Sequence, residues 1–376
     1  MKPLFLIYYF LLVLGPLIYL GSIPLASYHI IFLSMFFLTI LLHLNGNNFS
    51  IYLPLYFKCY LALLALYLFT YLFNFFEVDY IADIRDFIII YAPLQYLLLI
   101  VVLHNVLNNF KHDNESVTFI HSIIKLHLLL LPVIGVIAIL QMFNLFNTQE
   151  ILSTYYGKIK VEAWQRYMML NPRATATINL EPNSLGLYAA FSLVLFHMFK
   201  TELKLNKLMC LIIYAFGIIA LILSGSFTGI IVYVVVTLAF FVYYKKLGMK
   251  TIISVLICLI TLSSLLSEDI ERGLSRQKID DGNLIPSSIL YRIENAWLAT
   301  YLEFAEEPIN GIGPSAIQLT YSADNDFLDK FLRFGVIGGI GNICFVLFLI
   351  YYPLYKRKNY CCSFVRKLFL FSSLLA

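Results

Sequence analysis

Long apolar runs alternate with short polar connections along this chain, and two connections stand out by their length. The apolar runs cover residues 3–20, 28–44, 52–75, 87–107, 122–146, 182–199, 208–223, 227–244, 251–267 and 327–352. Most approach the roughly 20 residues needed to cross a ~30 Å hydrocarbon layer. Backbone amides in lipid have no water to bond, so each run is predicted as a helix that pairs its own polar groups. A further run begins at Leu368 and covers 368–376, which is too short to cross; it reads as the start of an incomplete or re-entrant span. The first run follows Met1-Lys2 with no small-residue cleavage site, so it is taken as an uncleaved anchor. The expected fold is an all-α polytopic membrane protein, a single transmembrane domain over 1–376 with about 10–12 spans. The segment Ser224-Gly225-Ser226-Phe227-Thr228-Gly229 is also compatible with a break inside a re-entrant pair.

Composition agrees with this class. Hydrophobic residues make up 61% of the chain and charged ones 13%, against about 25% charged in soluble domains. Mean hydropathy is +0.83. Four cysteines (Cys59, Cys210, Cys258 and Cys344) lie in apolar runs and two (Cys361 and Cys362) in a basic connection. None falls in a long polar loop, so no disulfide framework is expected. No paired CxxC and His spacing points to zinc, and no GxxxxGK[ST] loop points to a bound nucleotide. No cofactor, metal or nucleic-acid partner is expected.

The net charge of +4 says little, but its distribution is asymmetric. One set of alternate connections carries Lys2, Lys111, Lys200, Lys204, Lys207, Lys245, Lys246, Lys250, Lys356, Arg357, Lys358, Arg366 and Lys367, with only Asp113, Glu115 and Glu202 as acids. The remaining acids lie in the other set. The positive-inside rule makes the first set cytoplasmic and the N-terminus inside. The two long loops, 147–181 and 268–326, are then extracytoplasmic. The histidines His104, His112, His121 and His127 fall on the inner side or at span ends, and none lies in a long outer loop.

Candidate chemistry sits in those two loops. The first ends in Arg173 and Glu181-Pro182-Asn183-Ser184-Leu185-Gly186. Pro182 suits the first turn of a helix, whose unpaired amides favour an anion. Arg173 is suited to a bidentate grip on phosphate. The alternative is that Glu181 and Asn183 cap the helix and Arg173 snorkels to headgroups. The second loop carries Ser288, Arg292 and Asn295 at helical spacing, with Ile293, Trp297, Leu298, Tyr301 and Phe304 on the adjoining face. An amphipathic helix on the membrane surface is predicted, with Arg292 either a site residue or a headgroup anchor. The stretch Glu306-Glu307-Pro308-Ile309-Asn310-Gly311-Ile312-Gly313-Pro314 then breaks that helix. Asp324-Asn325-Asp326 has a D-x-D form, yet Asp326 with Lys330 and Asp329 with Arg333 are also spaced as i,i+4 ion pairs. The connection with Glu77, Asp79, Asp83 and Asp86 reads as a solvated acidic loop or as a source of a catalytic base.

Three pieces in order resemble the bacterial O-antigen polymerase and O-antigen ligase superfamily: Arg173 with Glu181–Gly186; Ser224–Gly229; and Arg292, Trp297, Glu307–Gly313, Asp324–Leu328 and Phe334–Gly338. The likeness covers most of the chain beyond about residue 120. It implies a GT-C-like, metal-independent, inverting glycosyltransferase that joins glycans carried on undecaprenyl pyrophosphate at the outer face of the bacterial cytoplasmic membrane. Arg173 and Arg292 are then the candidate cations for the leaving pyrophosphate, Asp324 the candidate base and Glu181 the second. Asn183, Asn295, Trp297, Asn325 and Arg333 are candidate substrate contacts. Ligases of the group carry a histidine where this chain has Asp324, which favours a polymerase of O-antigen or capsule repeat units. The partners implied are lipid-linked glycan donor and acceptor, membrane lipid and a chain-length regulator. An O-antigen ligase and, from another class, a lipid-linked oligosaccharide flippase are the alternatives; charge-poor span interiors and no visible inverted repeat weigh against the flippase.

Overall fold

The computed structural model describes residues 2–20, 23–44, 55–76, 98–99, 101–105, 113–156, 173–178, 181–244, 253, 256–257, 260–261, 264, 294, 297–314 and 326–357. Those residues are overwhelmingly helical. The helices are α1 (Lys2–Leu14), α2 (Ser27–Leu44), α3 (Leu55–Phe75), α4 (Asp113–Met142), α5 (Thr148–Tyr156), α6 (Pro182–Phe199), α7 (Lys207–Leu223), α8 (Phe227–Tyr244), α9 (Leu298–Glu306) and α10 (Asp326–Arg357). Four stretches within them are long and apolar enough to cross a membrane: Leu55–Phe75, Glu115–Met142, Pro182–Phe199 and Phe327–Tyr352. The molecule is a helical membrane protein. The chain divides into two compact units, Met1–Asn47 with Asn108–Ser267, and Asn48–Leu107 with Glu268–Ala376.

The first unit contains α1, α2 and α4 through α8. The run expected to span 3–20 is helical only to Leu14, because Gly15 and Pro16 stop it. Proline has no N–H to continue the ladder. A short hairpin follows, β1 (Leu17–Leu20) antiparallel to β2 (Ile23–Ala26), with Leu17 opposite Ala26. This is a small departure from an all-α chain. The last carbonyls of α1 find side-chain donors. Thr177 Oγ1 donates to Val13 O at 2.7 Å and the Tyr156 hydroxyl to Leu14 O at 2.6 Å. Burial pushes the Tyr156 phenol up, so it remains a donor.

The run expected at 122–146 is instead α4 over 113–142, with Pro132 inside it. The helix thus begins in the polar stretch that precedes the apolar run. Within the 147–181 loop, Thr148–Tyr156 forms α5. The core of this unit is made by Leu128, Leu131, Ile134 and Ala138 of α4, Leu185, Ala189 and Leu193 of α6, Ile213 and Ala220 of α7, and Ile230 and Tyr233 of α8, all fully buried. Asn206 caps α7, its side chain accepting from Met209 N at 2.7 Å.

In the second unit α3 packs on α10 through Phe57, Tyr60, Leu63, Tyr67 and Phe334, with Val101 against them. Tyr67 and Phe334 stack at 4.0 Å between centroids. The apolar run at 327–352 proves to be two helical pieces joined at Gly335, whose φ of 63° and ψ of −168° lie in a region open only to glycine. The break redirects hydrogen bonds. Val336 N donates to Pro308 O at 2.9 Å, while Leu332 O and Arg333 O accept from Ile312 N at 2.9 Å and Gly313 N at 3.0 Å. The turn 308–313 thus lies backbone to backbone against the kink, and a Cβ at Gly335 would fall 2.0 Å from Ile309 O. Asn74 of α3 locks the same turn, donating to Gly311 O at 2.8 Å.

Candidate functional site

The two motif segments at the N-terminal ends of α6 and α8 meet in the first unit. A Cβ on Gly229 of α8 would come within 2.6 Å of the backbone carbon of Gly186 in α6, so these helices cross where neither has a side chain. Small residues at such crossings let backbones approach closely. The crossing brings Ser226 to Asn183, with Ser226 Oγ donating to Asn183 Oδ1 at 3.3 Å. Ser226 Oγ also accepts from Gly229 N at 3.1 Å, which caps the first turn of α8.

Arg173 lies across this junction. Its Nε donates to Ser224 O at 2.9 Å and its Nη2 to Asn183 Oδ1 at 3.1 Å. Gly225 (φ 51°) gives the guanidinium room, since a Cβ there would stand 3.1 Å from Nε. The arginine is half-buried, whereas Asn183 and Glu181 are exposed. A fixed guanidinium beside the N-terminal turns of two helices makes a locally positive, solvent-reachable site. Glu181 stands at the start of α6 and makes no side-chain cap; its Oε2 accepts from Ser184 Oγ at 3.3 Å. Arg173 therefore reaches into a built junction rather than only outwards to headgroups.

The segment that carries Arg173 is buried and ends in a turn, with Ile178 N donating to Thr175 O at 3.3 Å. Ala174, Thr175 and Ala176 are fully buried. Backbone polar groups buried this way need partners. Ala174 N donates to Leu223 O at 2.8 Å. Gln141, near the end of α4, serves the rest: its Oε1 accepts from Thr175 N at 2.9 Å and Ala176 N at 2.8 Å, and its Nε2 donates to Thr175 Oγ1 at 2.9 Å. Sequence reasoning missed Gln141. The available signal was an amide side chain closing a long apolar run, where a polar group is costly without a defined partner.

A second polar cluster lies deeper among α1, α4 and α6. His127 is mid-way along α4 and buried, rather than at a span end. Its Nε2 is 2.7 Å from Ser192 Oγ, its Nδ1 bonds the Tyr9 hydroxyl, and the Tyr188 hydroxyl donates to His127 O at 3.4 Å. Tyr9, His127 and Ser192 pair through their side chains and Tyr188 through the His127 carbonyl, which ties three helices together.

The other sequence candidates fall in the second unit or beyond the described residues. Arg292, Asn295, Asp324 and Asn325 lie outside the described residues, as do Ser288, the acidic connection from Glu77 to Asp86, and the run 368–376. Trp297 precedes α9 and is half-buried. α9 is amphipathic, with Leu298, Tyr301 and Leu302 exposed, Thr300 buried, and Phe304 edge-on to Phe331 of α10. Arg333 is held by Asp329 Oδ1 at 2.7 Å, the expected i,i+4 pair, and donates to Pro314 O at 2.5 Å. That guanidinium fixes the end of the 308–314 turn to α10. Lys330 Nζ stands 3.2 Å from Asp329 Oδ2. Among the described residues no three His, Cys, Asp or Glu side chains gather as a metal site.

The fold and junction define a helical membrane protein with a guanidinium held at the head of two crossing helices. No family model, curated protein or solved structure matches the chain.

Proposed function

We propose that the chain is a membrane glycosyltransferase of GT-C type. It polymerises undecaprenyl-pyrophosphate-linked oligosaccharide repeat units into O-antigen, capsule or exopolysaccharide at the outer face of the cytoplasmic membrane. One observation carries this reading: Arg173 is held between Asn183 and Ser224, so the first two motif pieces, 173–186 and 224–229, form a single cationic junction. In the reaction an acceptor sugar hydroxyl attacks the donor's anomeric carbon. The bond from that carbon to the pyrophosphate oxygen breaks, and undecaprenyl pyrophosphate leaves as the anion. The hydroxyl proton passes to a carboxylate, for which Glu181 is the candidate beside Arg173. Arg173 stabilises the charge growing on the leaving group; one such contact is worth about 2.7–4 kcal/mol of barrier. The donor brings its own energy, so no nucleotide is needed.

The test is reconstitution of the full chain in liposomes with a lipid-linked repeat unit. A ladder of longer lipid-linked glycans with release of undecaprenyl pyrophosphate is expected, and Arg173→Ala should slow it on the order of a hundredfold or more at unchanged protein level. Transfer only to a lipid-core or protein acceptor makes the chain a ligase. Movement of the donor across the bilayer without glycan growth makes it a flippase. Wild-type ladders from Arg173→Ala remove this residue from the reaction.

A further inference from the structure

A continuous groove runs along the outer surface of the first unit between α1 and α4. One part, about 320 Å³, is lined by Lys2, Leu6, Glu115, Thr118, Phe119 and Ser122. The next, about 590 Å³, shares Leu6 and Ser122 and continues past Lys125 to Leu129. Its opposite wall is Ile7, Phe10 and Leu11 of α1, of which Ile7 and Phe10 are exposed. On α4 the polar residues Glu115, Thr118, Ser122 and Lys125 recur at helical spacing, so they form one stripe along the groove wall. At Lys2 the stripe ends in an ion pair, Lys2 Nζ to Glu115 Oε2 at 3.4 Å.

Lys125 is the unexplained member. It is exposed on the flank of a membrane-spanning helix, ten residues beyond Glu115, which is about 15 Å further along the axis. A cation facing hydrocarbon there is expensive unless it meets an anion or reaches an interface. Glu115 is already paired with Lys2, and Lys125 itself has no ion-pair or hydrogen-bond partner among the described residues. Helical side chains lean towards the N-terminus, so the Lys125 ammonium leans back along the groove towards Ser122. With one acid against two lysines, the groove is an apolar trough with net positive charge along its polar edge. An amphiphile with an anionic head and long apolar tails matches both features. Basic sites between spans are a known way of holding anionic lipid headgroups.

We propose that this groove binds an anionic phospholipid. Its phosphate pairs with Lys125 beside Ser122, and its acyl chains lie along Leu6, Ile7, Phe10, Leu11, Leu126 and Leu129. A zwitterionic lipid brings its own cation to the same place and gains less. The site is independent of the Arg173 junction and of the glycan reading.

The probe is Phe10→Trp in the full chain, placed in vesicles containing either brominated phosphatidylglycerol or brominated phosphatidylcholine, with quenching read against the parent chain and its two native tryptophans. Leu129→Trp serves identically if Phe10→Trp does not fold. Quenching should favour phosphatidylglycerol. Lys125→Gln in the probe background should cut that preference roughly fivefold, from one lost lysine–lipid contact, and Lys125→Arg should keep it. Equal quenching by the two lipids, or a preference unchanged by Lys125→Gln, overturns the proposal. So does loss of the preference on adding millimolar inorganic phosphate, which would make the ligand a free anion.

Discussion

Gln141→Leu isolates what holds the Arg173 segment in place. The substitution keeps most of the side-chain volume but removes the acceptor shared by Thr175 N and Ala176 N and the donor to Thr175 Oγ1. Thr175, Ala176 and Gln141 are fully buried. Each buried amide left without an acceptor costs about 1–3 kcal/mol, so the two together destabilise this docked segment by about 2–6 kcal/mol if the backbone stays put. Among the described residues the segment keeps Ala174 N to Leu223 O, Thr177 Oγ1 to Val13 O and the Arg173 bonds to Ser224 O and Asn183, none of which serves the two freed amides. It should therefore open locally long before the helices separate. Hydrogen exchange of a peptide covering 173–178 reads this directly. A loss of about 2 kcal/mol speeds exchange through that opening roughly thirtyfold, since 1.36 kcal/mol is tenfold. Peptides from α6 and α7 should change little. Gln141→Glu retains an oxygen acceptor and should fall between wild type and Gln141→Leu. Exchange within about threefold of wild type in Gln141→Leu, less than 1 kcal/mol, would refute the idea that this one side chain anchors the segment.

Two further outcomes follow from the packing. Gly335→Ala places a Cβ 2.0 Å from Ile309 O at a backbone conformation reserved for glycine; it should cost more than about 1–3 kcal/mol, read as a lowered unfolding midpoint in detergent, and a midpoint equal to wild type would contradict the kink. His127→Phe and Ser192→Ala should be non-additive by about 0.5 kcal/mol or more in a double-mutant cycle, because they remove two ends of one 2.7 Å contact; simple additivity would mean that the contact carries no stability.

The apolar runs at 28–44, 182–199, 208–223 and 227–244 reappear as α2, α6, α7 and α8 with nearly the same bounds. Hydropathy succeeds there because transfer into a membrane is summed over a turn-free stretch with clear polar ends. It fails at 3–20, where the average stays high through Gly15-Pro16 although the helix cannot continue. It also fails at Gly335, whose left-handed backbone leaves no trace in hydropathy. Gly335 itself recurs in a motif piece, and so do Gly186 and Gly229. Sequence order marked them, but only the close approach of backbones explains them.

The site was legible in part for a related reason. Arg173, Asn183, Ser224 and Ser226 all belong to segments that stand out as polar interruptions, and they do converge. What a linear reading lacks is the support behind them. Gln141 precedes Thr175 by 34 residues, and Thr177 finds its acceptor 164 residues away at Val13. Those contacts give the polar interruption a fixed path through a helical unit, and the fixed path aims the guanidinium. A segment placed only by the two helix N-termini would let Arg173 swing to solvent. Docked on Gln141 and Leu223 O, it has one orientation. On the proposed function, Gln141→Leu should reduce glycan polymerisation although Gln141 is fully buried, and the reduction should track the exchange rate of 173–178 rather than the protein's unfolding midpoint. Activity that stays at the wild-type level while the segment opens would separate Arg173 from the reaction even if the anchor itself is real.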